Sequence, residues 1–195
     1  ETENKESSRI WLVKTNSGGD ELWTKTFGSR EQNIGYSVEQ TEDGGYIVVG
    51  STHSFFPNYE DVLLIRTNAQ GEIIWEKTFG GQSWDRSTSV KQTKDSGFVL
   101  AGSTRMKEEG NADAWLMKIN EYGNPVWEQQ YHSASSDDLF SLRMSTDGGF
   151  VMVGAMAPID GSPGDLLLIK TDARGNAPEY KRSDKRLGAV TKVHQ

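Results

Sequence analysis

Residues 10–23 read IWLVKTNSGGDELW, and this pattern returns three times along the chain. It recurs as VLLIRTNAQGEIIW over residues 62–75, as AWLMKINEYGNPVW over 114–127 and, with Glu179 in place of the tryptophan, as LLLIKTDARGNAPE over 166–179. Trp23, Trp75 and Trp127 are therefore 52 residues apart. A period of this size is typical of repeat architectures, in which each copy forms one unit that packs against the next copy.

Each period contains four short segments with the composition of β-strands, separated by turn residues. In one copy these segments lie near residues 37–41, 46–52, 61–67 and 73–79, and the Asp43-Gly44 pair provides a tight hairpin turn. The second and third segments are apolar on both faces, which is typical of strands in a sheet that is covered on both sides. The fourth segment alternates, as an outer strand does. The sequence therefore predicts an all-β fold, a β-propeller built from four-stranded antiparallel blades.

The repeat also predicts the domain organisation. A polar tail, residues 1–9, is expected to be disordered, and residues 10–195 are expected to form a single β-propeller domain. We expect four blades, with the last one built from both termini; the full blades cover about 34–81, 86–133 and 138–185, and the closing blade combines 10–28 with 187–193. The closing blade then lacks its second strand. Three alternatives stay open: a three-stranded blade, a strand donated by another chain, or a larger ring of five or more blades.

Two segments resemble a known propeller motif. Residues 16–23 and 68–75 share a frame of Asn, a short turn, Gly, three residues and Trp. This frame resembles the tryptophan-docking motif of quinoprotein-type propellers, with one residue fewer between the Asn and the Gly. The fuller pattern, with Asp-Gly-Gly-Tyr at 43–46 and Gly-Ser-Thr at 50–52, is similar to uncharacterised secreted β-propeller repeat proteins of bacteria and archaea. The resemblance implies architecture from residue 10 to about 180. It implies no quinone, because the docking motif lies between blades, and we expect no cofactor.

Several repeated residues have structural interpretations. The repeated tryptophans are expected to pack between neighbouring blades, and the repeated glycines to allow close approach of the backbone; these residues are Trp23, Trp75, Trp127, Gly50, Gly102 and Gly154. The repeated aspartates are expected to bond to the backbone of turns or at the start of the third strand; they are Asp43, Asp95, Asp147, Asp61, Asp113 and Asp165. A hard-cation site formed by Glu31, Asp85 and Asp137-Asp138 is a weaker alternative.

Composition narrows the function classes. The net charge of −7 argues against a nucleic-acid partner, and the absence of cysteine excludes thiolate metal sites and thiol nucleophiles. No apolar run is long enough to be a transmembrane segment. The histidines, His53, His132 and His194, have no metal-type spacing, and no Gly-x-Ser-x-Gly motif occurs. These features favour a non-catalytic protein over an enzyme. The alternatives are a polysaccharide hydrolase or lyase that uses carboxylates of the central channel and, less favoured, a quinone- or metal-dependent oxidoreductase.

The loops that differ between copies are the candidate binding residues. They carry bulky aromatic side chains close to charged ones, a combination that suits stacking on a glycan or contact with a protein; these residues are Phe55, Phe56, Tyr59, Trp84, Asp85 and Arg86. The other interpretation is that the aromatic rings fold back onto their own blade. We expect an exported module, extracellular, at the cell surface or periplasmic, whose partner is a protein, a glycan or another copy of itself.

Overall fold

The computed structural model describes residues 8–28, 32–53, 60–80, 84–105, 110–133, 135–158 and 162–177. Within these ranges the chain forms thirteen strands and no helix. The strands are β1 (Ile10–Thr15), β2 (Glu21–Phe27), β3 (Asn33–Gln40), β4 (Tyr46–Thr52), β5 (Asp61–Thr67), β6 (Ile73–Phe79), β7 (Asp85–Gln92), β8 (Phe98–Thr104), β9 (Asp113–Ile119), β10 (Pro125–Tyr131), β11 (Ser135–Met144), β12 (Phe150–Pro158) and β13 (Asp165–Lys170). The predicted all-β class is confirmed. A helix capable of crossing a membrane is not found in the described ranges.

The strands form four sheets, which are antiparallel in every pairing given by register. The sheet orders are β1-β2, β3-β4-β5-β6, β7-β8-β9-β10 and β11-β12-β13. By contacts the chain divides into two compact units, 1–87 and 88–195, which are described in turn. The strand predicted from 187–193, and the fourth strand of the blade predicted to end near 185, lie outside the described residues.

Unit 1 contains the β1-β2 hairpin and the β3–β6 sheet. Every residue of β5 is buried, and so is β4 after Tyr46, whereas β6 alternates as an edge strand does. One face of the hairpin packs on one face of the sheet: Ile10 and Phe27 contact Val48, Leu63 and Ile65 in a shared core cluster. Because the side chains of a strand alternate between its two faces, β4 and β5 need apolar residues at consecutive positions in order to be covered on both sides.

Unit 2 repeats this sheet-on-sheet packing. Leu116 and Ala101, on the β7–β10 sheet, share a core cluster with Leu142, Met152 and Leu167 of the β11–β13 sheet. In β12 and β13 the burial alternates, so one face of this last sheet is covered and the other is partly open. Leu166 lies on the open face and is 69% exposed.

The repeated tryptophan makes the same contact in both units. The Trp23 ring lies against Gly71 in the β5–β6 turn and packs edge-on to Tyr46 at 5.7 Å between ring centroids. The Trp127 ring likewise lies against Gly175, in the turn after β13, and 6.0 Å from the Phe150 ring.

Both glycines leave room for the indole. A Cβ at Gly71 or Gly175 would lie 2.9 or 2.8 Å from the tryptophan ring, and both residues have the positive φ that favours glycine. In unit 2 a hydrogen bond adds to this packing contact, because the Tyr131 hydroxyl donates to the Gly175 carbonyl at 2.7 Å. The indole thus joins the outer strand of one sheet to the hairpin turn of the next.

The glycines of the second strands allow a bulge in the neighbouring first strand. The register between β3 and β4 shifts after Gly35, and a Cβ added at Gly50 would lie 2.2 Å from the Ile34 carbonyl oxygen. The register between β11 and β12 shifts after Leu139, and a Cβ at Gly154 would lie 1.8 Å from the Asp138 carbonyl oxygen. Gly102 is also buried and lies opposite Trp115. The close approach therefore comes from the bulged strand within the same sheet.

The hairpin turns carry a repeated ion pair. Asp43 accepts hydrogen bonds from the Gly45 amide and the Thr41 hydroxyl, and its carboxylate contacts the Arg66 guanidinium at 2.5 Å. The Thr41 hydroxyl and Arg66 together lower the pKa of Asp43 to about 2. Lysines occupy the position of Arg66 in the later copies, at distances of 3.1 and 2.7 Å from their aspartates; these pairs are Asp95–Lys118 and Asp147–Lys170.

Candidate functional site

Polar side chains gather at the end of each sheet where the second strand stops and the third begins. The chain also reaches this end when it crosses from one sheet to the next, so we call it the crossover end. The crossing is anchored in the same way in each copy: a residue at or near the start of the first strand of one sheet donates its backbone amide to the carbonyl of a residue just before the third strand of the preceding sheet. These bonds join Asn33 to Ser8, Asp85 to Glu60 and Asp137 to Ala112, at 3.1, 2.8 and 2.7 Å. The repeat therefore provides a fixed frame on which the variable side chains are placed.

In unit 1 the crossover end carries the residues that we call the Trp84 cluster: Tyr36, His53, Glu60, Trp84 and Arg86. Trp84 is 42% exposed, and its ring meets the His53 ring edge-on at 6.2 Å between centroids. His53 follows β4, and its backbone amide donates to the Gln32 carbonyl at 3.1 Å. One side of the indole thus contacts His53, whose backbone is anchored by this hydrogen bond, and part of the indole surface is exposed to solvent.

Arg86 forms the second part of the Trp84 cluster. Its guanidinium lies 4.4 Å from the centroid of the Tyr36 ring, within the range of a cation–π contact. The Tyr36 hydroxyl donates to Glu60 at 2.9 Å and accepts from Ser51 at 3.3 Å. Burial, together with the Glu60 carboxylate, raises the pKa of Tyr36, which favours the protonated phenol as the donor to Glu60. The stacked Arg86 is exposed and can offer its N–H groups to an acceptor beside Trp84.

In unit 2 the same end is acidic, and we call its residues the Asp137 cluster: Asp113, His132, Ser133, Asp137 and Asp138. Asp137 is only 2% exposed, and one of its carboxyl oxygens is buried with no hydrogen-bond partner among the described residues. Burial, and then the charges of Asp113 and Asp138, raise the pKa of Asp137 to about 6.

Two neighbours of Asp137 are held by other groups. Asp113 contacts His132 at 2.9 Å, and Asp138 accepts from the Ser103 hydroxyl at 2.5 Å. Among the described residues no group of three or more His, Cys, Asp or Glu has an arrangement suited to a metal ion. The cluster therefore gives no support to the hard-cation site suggested by the sequence; Glu31 lies outside the described residues.

Trp84, Asp85 and Arg86, three of the residues that the sequence singles out, share the crossover end of unit 1. Phe55, Phe56 and Tyr59 lie outside the described residues. The sequence interpretation did not include Tyr36 and Glu60. The signal that could have found them is variation between copies, because Thr88 and Phe140 replace Tyr36, and Ala112 and Gly164 replace Glu60.

The comparisons with known proteins are weak. No family model matches the chain. Over 176 aligned residues the chain is 24% identical to the regulatory protein FlaEY of Caulobacter vibrioides. That match covers 77% of this chain but only 18% of the length of FlaEY. The similarity is too low, and the covered share of FlaEY too small, to show the family of this chain.

Proposed function

We propose that the chain is a non-catalytic β-propeller module, exported from the cytoplasm, that binds a protein or glycan partner. The propeller arrangement is supported by the packing inside each unit, because the same face of a sheet covers the next sheet in both units. The contact of the tryptophan with the glycine turn also recurs, at Trp23 and at Trp127. Repeated sheets that pack face to face in one sense suit a radial array of blades, with the hairpin 10–28 contributing to the fourth.

The Trp84 cluster is the observation that carries the binding proposal. An exposed indole lies near a guanidinium that is stacked on Tyr36, which in turn is bonded to Glu60. Trp84 and Arg86 are both held by neighbouring side chains, so little side-chain entropy is lost when a ligand binds. An indole face suits the apolar face of a sugar ring or the side chain of a protein hot spot, and Arg86 suits an acceptor next to it.

The hydrolase alternative gains no support from Asp137, the buried acid of unit 2. Asp137 has a raised pKa of about 6, as a general acid needs, but it is only 2% exposed. A polysaccharide cannot reach a carboxyl group that is buried to this degree. The binding module is therefore the function that we propose.

The proposal is tested by screening the purified chain against glycans and against proteins of the cell surface. A ligand found in the screen is expected to bind Trp84→Ala and Arg86→Ala at least tenfold more weakly, since each removes one of the two exposed contacts. Tyr122→Ala is the matched control, because Tyr122 is 63% exposed in the β9–β10 turn, outside the Trp84 cluster. Unchanged affinity in both cluster variants, or a screen without any ligand, would contradict the proposal. Fractionation of the producing cells tests the exported location.

A further inference from the structure

The aromatic and cationic pair of the Trp84 cluster occurs in one copy of the repeat only. The equivalent positions of the other copies carry different side chains, which are Gln32 and Ser136 for Trp84, and Ile34 and Asp138 for Arg86. Those copies form the same kind of first strand and the same anchored crossing. The repeated fold therefore does not require an indole or a guanidinium here, and both side chains are exposed at the crossover end of unit 1.

Trp84 and Arg86 lie on the same side of the chain. Trp84 immediately precedes β7, and Arg86 is the second residue of that strand. Alternate residues of an extended strand point to the same face, and their Cα atoms are about 7 Å apart. The burial agrees with this, because Asp85 between them is half-buried and Ser87 after them is buried. A single ring-shaped ligand residue can therefore contact both side chains.

The Tyr36 ring orients the guanidinium of Arg86. The Arg86 Cζ lies 4.4 Å from the ring centroid, and the Tyr36 hydroxyl is itself bonded to Glu60 and Ser51. The N–H groups of a guanidinium lie in its plane, so contact between its face and the ring leaves them for another acceptor. Two of these N–H groups match the spacing of the two oxygens of a carboxylate. Arg86 thus favours a ligand that carries a carboxylate beside the group that contacts Trp84.

A hexuronate residue offers both groups as one rigid unit. Its ring has an apolar face for the indole, and its carboxylate is attached directly to that ring. A peptide would need two side chains for the same contacts, and each would lose rotamer freedom on binding. The net charge of −7 opposes an acidic ligand only weakly, because exposed charges more than about 8 Å apart are largely screened at physiological ionic strength.

We propose that the Trp84 cluster binds an acidic polysaccharide through its uronate residues. In this arrangement the indole of Trp84 contacts the sugar ring, and the guanidinium of Arg86 binds the carboxylate. The inference rests on the binding function proposed above and names the chemical class of its ligand.

The test compares short uronate oligomers with their own methyl esters. The probes are oligomers of galacturonic acid and of mannuronic acid, each as the free acid and as the ester, measured by isothermal titration calorimetry at physiological ionic strength. Esterification removes the charge and keeps the sugar ring. We expect at least one free acid to bind the unmodified chain at least tenfold more tightly than its ester, because a charge-assisted hydrogen bond is roughly twice as strong as a neutral one.

Two variants assign the contacts. Arg86→Gln should lower the affinity for the free acid to that for the ester, whereas Trp84→Leu should weaken acid and ester by a similar factor, since the indole contacts the ring and not the carboxylate. Arg143→Gln is the matched control, because Arg143 is an exposed arginine on β11 in unit 2 and its loss changes the net charge by the same amount. Both affinities should stay unchanged in this control.

Equal binding of acid and ester, or no binding of any free acid, would overturn the proposal. Tighter binding of an oligoglutamate peptide than of either uronate oligomer would also overturn it, in favour of an acidic protein partner. The acid–ester comparison uses the unmodified chain, so it decides the matter even if a variant does not fold. If a neutral ligand from the screen depends on Trp84 while no uronate oligomer binds, this inference fails and the proposed binding function stands.

Discussion

Replacing Asp137 with Asn should stabilise the protein at neutral pH. Asp137 is buried, one of its oxygens has no partner among the described residues, and Asp113 and Asp138 add negative charge nearby. The repeat contains a precedent, because the equivalent residue in unit 1 is Asn33, which is also 2% exposed. The Asn33 amide donates to the Ser8 carbonyl at 3.0 Å, and Ser8 is equivalent to Ala112. An amide at position 137 can make the corresponding bond to Ala112.

The magnitude follows from the pKa of Asp137. Folding raises it from an ordinary 3.8 to about 6, a difference of about two units, and each unit corresponds to about 1.4 kcal/mol. Because the folded protein disfavours the charged carboxylate, Asp137 contributes fully to the free energy of unfolding below about pH 4, and this contribution is lost as pH rises through about 6. At pH 8 the charged carboxylate therefore costs up to about 3 kcal/mol, and Asp137→Asn avoids this cost.

The assay is urea unfolding followed by tryptophan fluorescence and circular dichroism between pH 4 and pH 8. We expect the free energy of unfolding of Asp137→Asn to be about 2–3 kcal/mol higher than that of the unmodified chain at pH 8. This difference should shrink toward pH 4. Asp147→Asn is the matched control with the opposite sign, because Lys170 lowers the pKa of Asp147 to about 2. A difference that is equal at both pH values, or an Asn variant that is less stable at pH 8, would refute the reasoning.

Three further predictions concern stability. Gly154→Ala should lower the free energy of unfolding by about 2–3 kcal/mol, because its Cβ would lie 1.8 Å from a backbone oxygen. Gly19→Ala should lower it by only about 1 kcal/mol, because Gly19 has open space around it and only its φ of +88° is unfavourable for alanine. Equal losses in the two variants would contradict this. Asp43→Asn should lower the free energy of unfolding by about 1 kcal/mol at pH 7, after allowance for solvent screening of this exposed pair. Because the pKa of Asp43 is lowered to about 2, the difference between the variant and the unmodified chain should fade as pH drops from 4 to 2. A difference that persists at pH 2 would contradict this explanation. Trp127→Leu should cost about 2–3 kcal/mol and Trp84→Leu less than about 0.5 kcal/mol in urea unfolding, because the first ring packs between sheets and the second is partly exposed; the reverse order would contradict the packing.

The strands could be predicted from the sequence because their determinants are local and repeated. The consecutive apolar residues of β5 and the Asp43-Gly44 turn each fix a short piece of backbone, and four copies of the pattern show which differences are tolerated. The burial of β4 and β5 on both faces follows from the same residues. The arrangement of the sheets around a common axis is a longer-range property and remains a proposal.

The site could be predicted only in part, because its contacts join residues far apart in the chain. The exposed aromatic and charged pair at Trp84 and Arg86 is visible as a difference between copies. That Arg86 stacks on Tyr36, 50 residues earlier, is set by how the crossing runs past β3. The raised pKa of Asp137 depends likewise on its burial and on the charge of Asp113, which lies far from it in the sequence. The pairing of Asp43 with Arg66 could have been found, since a basic residue recurs at 66, 118 and 170.

The most direct test of the repeated sheet packing is the nuclear magnetic resonance signal of the two turn glycines, Gly71 and Gly175. Each lies against an indole, so their α-protons should show ring-current shifts and nuclear Overhauser effects to Trp23 and Trp127 respectively. We expect both pairs to give the same pattern, and Gly19, with nothing within 4 Å of a Cβ placed on it, to give neither signal. If the two tryptophans show contacts with different kinds of neighbour, equivalent residues do not have equivalent surroundings and the repeated packing is contradicted.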